Sequence, residues 1–357
     1  MSVSLWGTNK NKEKKKYDVV IIGGGISGLS TAYWLTKYEG LKIAIVEKYK
    51  LGAGATGRNA GFITCGSVEH FNKMVKTHGL EESLATWKFS EENLELLKKE
   101  IIKDKDLGFE QNGSFSIATE KNDFENLKES AKIMKENGIN VEILEENDVK
   151  SRLGIDKFIG GIKYLDDATV DPILLLKEIQ NMIKDKVDIY ENHEVINVDG
   201  TTVLTNETDF DADAIVYALN GYSELLDKYF KNKIIGTKAQ IVATEKTESF
   251  MEGACYANSF MDYFRQAKSG EFVIGGFRQE DATGDMFSDI INEKVDEKLE
   301  WFIREYLPKL KNVKITHRWS GTMGWTHDGK PLVGTLPTNQ NVYFLGGYTG
   351  HGLGLAF

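Results

Sequence analysis

The stretch Tyr17-Asp18-Val19-Val20-Ile21-Ile22-Gly23-Gly24-Gly25-Ile26-Ser27-Gly28 decides how this chain folds. After its first two residues the run to Ile22 is apolar throughout, the mark of a parallel strand covered on both faces. Gly23, Gly25 and Gly28 then fill the three glycine places of G-x-G-x-x-G, which make the turn, admit a pyrophosphate to the backbone and let helix and strand pack closely. The pattern predicts a helix from Ile26 to Tyr38 with Ile26, Leu29, Ala32 and Tyr33 on one side. Its first N–H groups, at Ile26 and Ser27, and its positive dipole end face the phosphates. Leu41 to Val46 reads as a second buried strand. It runs into Glu47 and Lys48; Glu47, about 20 residues after the last glycine, is placed to accept hydrogen bonds from ribose hydroxyls. Alone the glycine motif is weak, but between strand and helix with this acid it predicts a dinucleotide site.

A second loop follows, Leu51 to Gly61, reading LGAGATGRNAG with glycine at 52, 54, 57 and 61. Gly54, Ala55, Thr56, Arg58, Asn59, Ala60 and Gly61 are expected to bring backbone N–H groups, a hydroxyl and a charge to a second part of the same cofactor. A long cofactor is implied. Here the sequence resembles the D-amino-acid-oxidase-like superfamily of FAD-dependent oxidoreductases, whose second fingerprint reads G-A-[ST]-G-R-N-x-G. The branch it is most similar to holds γ-glutamylputrescine oxidase, glycine oxidase and sarcosine oxidase.

The resemblance extends from Tyr17 to Phe357 and implies an α/β fold with an α+β second domain, a Rossmann-like FAD-binding domain carrying an inserted antiparallel-sheet substrate domain. On this reading residues 1–16 are a flexible tail, 17–79, 151–222 and 316–357 build the FAD-binding domain, and 80–150 and 223–315 the substrate domain.

Bulk properties agree with a soluble enzyme. The 357 residues are 41% hydrophobic and 27% charged, with net charge −10, which argues against nucleic acid or an anionic membrane as the main partner. Cys65 and Cys255 are the only cysteines, so no disulfide framework or metal-ligand set is expected, and a cytoplasmic location is the simplest. The lysine-rich start has no apolar core of a signal peptide, and no run is long enough to span a membrane. Leu5-Trp6 resembles the short leader of the putrescine-oxidase branch.

Further on, Leu80 to Lys103 predicts a long amphipathic helix, Phe109 to Thr119 a strand pair around Gly113, and Asp123 to Asn137 a helix closed by Gly138. Asp171-Pro172 is an N-cap followed by proline at the first helical position. Val187 to Thr205 gives short strands that include Val195, and Ala212 to Ala218 a buried strand leading to Asn220; Val195, Ala218 and Asn220 are expected against the cofactor. Ile234 to Thr244 and Phe260 to Gly276 have strand character, the latter folding back at Lys268-Ser269-Gly270. Asn292 to Tyr306 reads as a helix and Val342 to Leu345 as a last buried strand.

The closing segment Gly346-Gly347-Tyr348-Thr349-Gly350-His351-Gly352-Leu353 resembles the family's G-G-[FY]-[ST]-G-H-G-[MLV], in which glycine amides face the flavin pyrimidine. Gly321, Gly347, Gly350, His351, Gly352 and Leu353 are therefore expected at the flavin, which the amides of Gly350 and Gly352 would stabilise when it is reduced. The chain stops at Phe357, barely one turn into a helix that is longer in relatives, and the dipole argument is weaker for so short a helix. The implied chemistry is oxidation of a C–H bond beside an unprotonated nitrogen, with an imine as product. Candidate pocket residues are Tyr263, Arg265, Trp325, His327, Tyr348 and His351, with Arg265 able to grip a carboxylate.

Three departures refine the resemblance. Glycine-oxidase-like proteins hold a carboxylate by arginines where Met323 and His351 stand, so a small α-amino acid held in that way is disfavoured. The flavin-linking histidine of dimethylglycine-dehydrogenase-like proteins is replaced by Arg58, and the flavin-linking cysteine of sarcosine-oxidase-like proteins has no counterpart from Ser320 to Trp325, so FAD is expected to bind non-covalently. Val273 stands where the sarcosine branch has an oxygen-activating lysine, and Lys238 is the candidate substitute. The expected partners are a small-molecule amine or amino acid and O2 or another electron acceptor. A dehydrogenase feeding a carrier, or a catalytically silent flavin-binding module, are the alternatives.

Overall fold

The computed structural model describes residues 12–257, 262–281 and 286–357. Leu5-Trp6 and Phe260 lie outside them. Two eight-stranded sheets dominate. In the first, Lys14–Ile22 lies at the centre, parallel to Ile43–Val46 on one side and to Asp209–Tyr217 on the other. Val187–Tyr190 and Asn339–Gly346 extend it in parallel, and Leu332–Leu336 closes that edge antiparallel. The central strand is covered on both faces, as its unbroken apolar run requires. Ile21 joins the core beneath the helices Ile26–Leu35 and Pro172–Ile183. Val20 and Ile22, one residue either side, pack against Phe210 and Phe230 on the other face.

The second sheet runs Ile315–Trp325, Ile235–Lys246, Glu271–Gly275, Asp262–Gln266, Ala254–Ala257, Ser114–Ala118, Gly160–Tyr164, Val141–Glu145. All its pairs are antiparallel except Ala254–Ala257 with Ser114–Ala118. Helix Glu293–Tyr306 covers its back, with Phe264 and Phe302 ring centroids 5.3 Å apart. Its other face looks toward the glycine loops. No helix of the described residues is long and apolar enough to cross a membrane, and no group of three or more metal-ligating side chains occurs among them.

Most expected elements form, with ends shifted by a few residues. Asp171 caps its helix through Oδ1, which accepts from the N–H of Ile173 at 2.9 Å and of Leu174 at 3.0 Å. The long helix runs Leu80–Leu97 and ends in a π-helical turn, Lys98–Ile102.

Four expectations are corrected. The tail gives way to strand at Lys14, where Lys14 pairs with Asp211 at 2.7 Å. Phe109 to Thr119 holds one strand rather than a hairpin, because Gly113 (φ +78°) turns the chain and Ser114–Ala118 pairs with Gly160–Tyr164. That pairing carries the second sheet beyond the boundary drawn at 150. Likewise Ile315–Trp325, expected in the first domain, ladders along Ile235–Lys246 from Ile235↔Trp325 to Thr244↔Ile315.

Candidate functional site

A cavity of about 1120 Å³ runs between the two sheets. At one end lie Glu47, Lys48, His193, Glu194 and Val195; in the middle Gly23 to Ser27 and Gly54 to Thr56; at the other Gly321, Met323, Trp325 and Tyr348 to Leu353. It lies outside the carboxyl ends of the parallel strands, where ligands bind in open α/β sheets.

The first glycine turn is fixed from several sides. Gly23 has φ +111°, and a side chain there would meet Ala218 O at 2.6 Å. A Cβ on Gly28 would lie 1.9 Å from Gly23 O, so only glycine lets helix Ile26–Leu35 seat this closely. Gly24 N donates to Glu47 Oε2 at 2.8 Å, and Tyr49 N donates to Oε1 at 2.9 Å. Each carboxylate oxygen keeps a further lone pair for a ligand hydroxyl. Lys48 is paired with Glu194 at 2.8 Å. The helix starts at Gly25 without a cap from that residue, and with Ile26 N–H taken by the second loop, the donors that follow, from Ser27 on, are left to a ligand.

The second loop is tied to the first by one hydroxyl. Ile26 N donates to Thr56 Oγ1 at 3.0 Å, and Thr56 is buried. Asn59 holds the loop's own shape: its amide donates to Ala55 O and Thr56 O while its oxygen accepts from Gly61 N at 2.7 Å. Arg58 spends Nε on Ala53 O at 2.9 Å and Nη1 on Ser320 O at 2.7 Å. Its charge thus fastens the loop to the second sheet while its side chain borders the cavity beside Gly321, whose added Cβ would lie 2.9 Å from Arg58 Cβ.

At the far end Ser27 Oγ donates to the Tyr348 hydroxyl at 2.9 Å, joining the first turn to the last segment. Burial pushes the Tyr348 phenol up to about 12. Asn220 accepts from Gly347 N at 2.9 Å. The Gly350 N–H has no partner among the described residues. His351 packs against His70, ring centroids 4.7 Å apart, and its Nδ1 is buried without a partner. Burial first, and His70 second, lower His351 to about 3; burial and Lys73 lower His70 to about 4. Both imidazoles are neutral at pH 7.

Tyr263, Trp325, Tyr348 and His351 thus come together on the cavity wall. Gly28, Gly61 and Gly347 stand behind it as packing positions. Arg265 does not reach the cavity lining: it is 5% exposed, Nη2 donates to Val170 O at 2.8 Å, and Nε and Nη1 have no partner. Burial lowers it to about 10. Lys238 also points elsewhere. Its strand neighbour Ala239 lines the cavity opposite Gly321, so Lys238 faces the other side, pairing with Asp281 at 3.6 Å. His327 is exposed and bonds Asn232 O at 3.1 Å.

Sequence reasoning missed His70, Tyr256 and Arg278, all on the wall. His70 rides on helix Val68–His78, whose apolar period Val68, Phe71, Val75 was readable; Arg278 follows an irregular turn that carries no pattern.

The residues present fit a long, two-part cofactor: a glycine cradle that a Cβ would fill, an uncapped helix start, an acid at the second strand and an unpartnered amide at the far end. Comparison with known proteins agrees. The chain is 24% identical to γ-glutamylputrescine oxidoreductase of Escherichia coli over 94% of this chain and 80% of that protein. It is 25% identical to glycine oxidase of Bacillus subtilis over 96% and 90%. Among solved structures, L-proline dehydrogenase from P. horikoshii matches with a TM-score of 0.81 at 21% identity, covering 96% of this chain and 91% of that one. Glycine oxidase from Geobacillus kaustophilus also gives 0.81, at 19% identity, covering 96% and 92%. Residues 18–357 match the family DAO, FAD dependent oxidoreductase. The chain belongs to this family of FAD-dependent oxidoreductases, and FAD is its cofactor.

Proposed function

We propose that this chain is an oxidase that converts the C–N bond of an amine or amino acid to an imine, using non-covalently held FAD. The bound flavin supplies a hydride acceptor at N5 for the C–H beside nitrogen, with O2 as final acceptor and H2O2 as product. On this reading Gly25, Ser27 and Thr56 hold the pyrophosphate, Glu47 the ribose, Lys48 and Val195 the adenine end, and Gly321, Gly350, Gly352 and Leu353 the ring.

The observation that carries the reading is the pair of half-buried, uncharged imidazoles on the cavity wall. An amine assists C–H cleavage only with its lone pair free. His351 and His70, held neutral by burial, offer no negative charge to stabilise an ammonium, and Tyr263 and Trp325 line the same cavity. The names of the relatives, γ-glutamylputrescine oxidoreductase and glycine oxidase, support an amine or amino acid as substrate.

A dehydrogenase is the second reading. It is favoured by Val273, at the place of the family's lysine, and by Lys238 facing away from the cavity. Anaerobic mixing with amines and amino acids, followed by air, separates the two. Bleaching of the flavin band that recovers in air with release of peroxide is expected; bleaching that persists in air identifies a dehydrogenase. No bleaching by any amine or amino acid would overturn both in favour of a silent flavin-binding module.

A further inference from the structure

We propose that Thr349 is a positioning residue for the flavin: its side-chain hydroxyl holds the chain in a left-handed conformation that presents the Gly350 N–H to the ring. The inference rests on the placement of Gly350 at the ring proposed above and adds the residue that fixes it.

The chain turns sharply between Tyr348 and His351, where His351 N donates to Tyr348 O at 2.9 Å. The two residues inside the turn, Thr349 and Gly350, have φ +50° and +88°. Positive φ at both central places marks a type I′ turn, which is dominated by Gly, Asn and Asp. Gly350 meets that rule and Thr349 breaks it. Thr349 is the only β-branched residue with positive φ among the described residues, a conformation that its branched side chain opposes. Such strain persists only where the surroundings over-determine it.

Here they do. Thr349 is 2% exposed, and its N–H donates to Gly324 O at 2.8 Å. Its Oγ1 accepts from Thr326 N at 3.4 Å and lies 3.3 Å from Thr326 Oγ1 and 3.4 Å from Gly347 O. Thr326 Oγ1 spends its own proton on Lys330 O at 2.8 Å, so the Thr349 hydroxyl gives its proton toward Gly347 O and Thr326 Oγ1. Gly324 and Thr326 flank Trp325, so this clamp ties the last glycine segment to the end of strand Ile315–Trp325.

A relaxed, negative φ at Thr349 would draw the turn toward type I, of which type I′ is the mirror image. The peptide between the two central residues then faces the opposite side, and its N–H is that of Gly350. That N–H has no partner among the described residues, and Gly350 lines the cavity. A donor fixed before charge develops on the ring stabilises the reduced flavin, and one that turns away does not.

The test measures the reduction potential of the FAD-loaded protein against a reference dye with no amine present, so its outcome is independent of the proposed substrate. Thr349→Ser keeps the hydroxyl and should hold the parent potential. Thr349→Gly loses the hydroxyl but adopts positive φ without steric cost, and should hold it too. Thr349→Ala loses the hydroxyl and keeps a Cβ that opposes positive φ. Its potential should fall by about 30 mV, equivalent to about tenfold less stabilisation of the reduced form in a two-electron couple, the scale of a hydrogen bond to a charged group. Thr349→Ala at the parent potential overturns the inference. So does an equal fall in Thr349→Gly, which would make the hydroxyl itself the group acting on the ring, or in Thr349→Ser, which would assign the effect to the methyl group. If Thr349→Ala fails to retain FAD, the inference stands when the Gly and Ser variants hold it at the parent potential and falls when the Gly variant loses it or drops in potential. Potentials as expected in a protein that no amine bleaches would keep Thr349 in this role and remove the amine oxidase reading.

Discussion

The imidazole of His351 packs against that of His70 with ring centroids 4.7 Å apart and planes tilted by 41°. One ring belongs to the last glycine segment, the other to helix Val68–His78. Both rings line the cavity, and two positive charges this close would repel each other.

A pH dependence follows. Folded values of about 3 for His351 and about 4 for His70 lie below the ordinary 6.5, so the unfolded chain binds more protons. The stability gained by keeping them neutral is complete above pH 6.5 and is lost as pH falls towards 4. Between pH 8 and pH 5 the loss is about 2 kcal/mol for each histidine. Thermal unfolding should show a smaller drop in Tm over that range when both are replaced by Gln. Equal drops in the two proteins would remove the pair as a source of acid sensitivity.

Gly25→Val should abolish flavin retention. An added Cβ would already lie 3.0 Å from Thr56 Oγ1, and the two further methyl groups of valine occupy the space at the uncapped helix start. The purified variant is expected to be colourless, with the ratio of visible to ultraviolet absorbance near that of a flavin-free protein. A yellow, fully loaded variant would contradict the placement of the pyrophosphate.

Thr56→Val keeps the shape of the side chain and removes the acceptor for Ile26 N–H. Leaving that buried donor unpaired costs about 1–3 kcal/mol, read as a lower urea midpoint at unchanged slope. Thr56→Ser should recover most of the loss, which a purely steric role for the methyl group would not predict.

How much of this was readable in sequence depends on the range of the forces involved. Local signals of the fold were legible: the glycine turn from 23 to 28 between strand and helix and the Asp171 cap each act within a few residues or through a fixed strand-turn-helix unit. Long-range pairing was not. Nothing near Gly160–Tyr164 announces Ser114–Ala118 as its partner, and nothing in Ile315–Trp325 announces its ladder with Ile235–Lys246. The same holds in the site. Arg265 looked like a substrate ligand because arginine on a pocket strand suits an anion, yet its guanidinium is folded back onto Val170 O. Arg278 had no pattern to find, since its direction is set by the positive φ of the two residues before it.

Lys238→Met should leave reoxidation of the reduced flavin in air unchanged. A cation speeds electron transfer to O2 by stabilising the anion that forms, which requires it to face the ring. Strand alternation forbids that here: Ala239 lines the cavity, while Lys238 shares its face with Val242, which packs in the core behind the sheet, and is 7% exposed and paired with Asp281 at 3.6 Å. Removing the charge should therefore lower Tm, because Asp281 loses a buried partner, without altering the rate at which colour returns after anaerobic reduction. A reoxidation rate about tenfold slower, equivalent to about 1.4 kcal/mol in the barrier, would show that the lysine acts on oxygen after all. An unchanged rate with a lowered Tm would assign it to the packing of the second sheet.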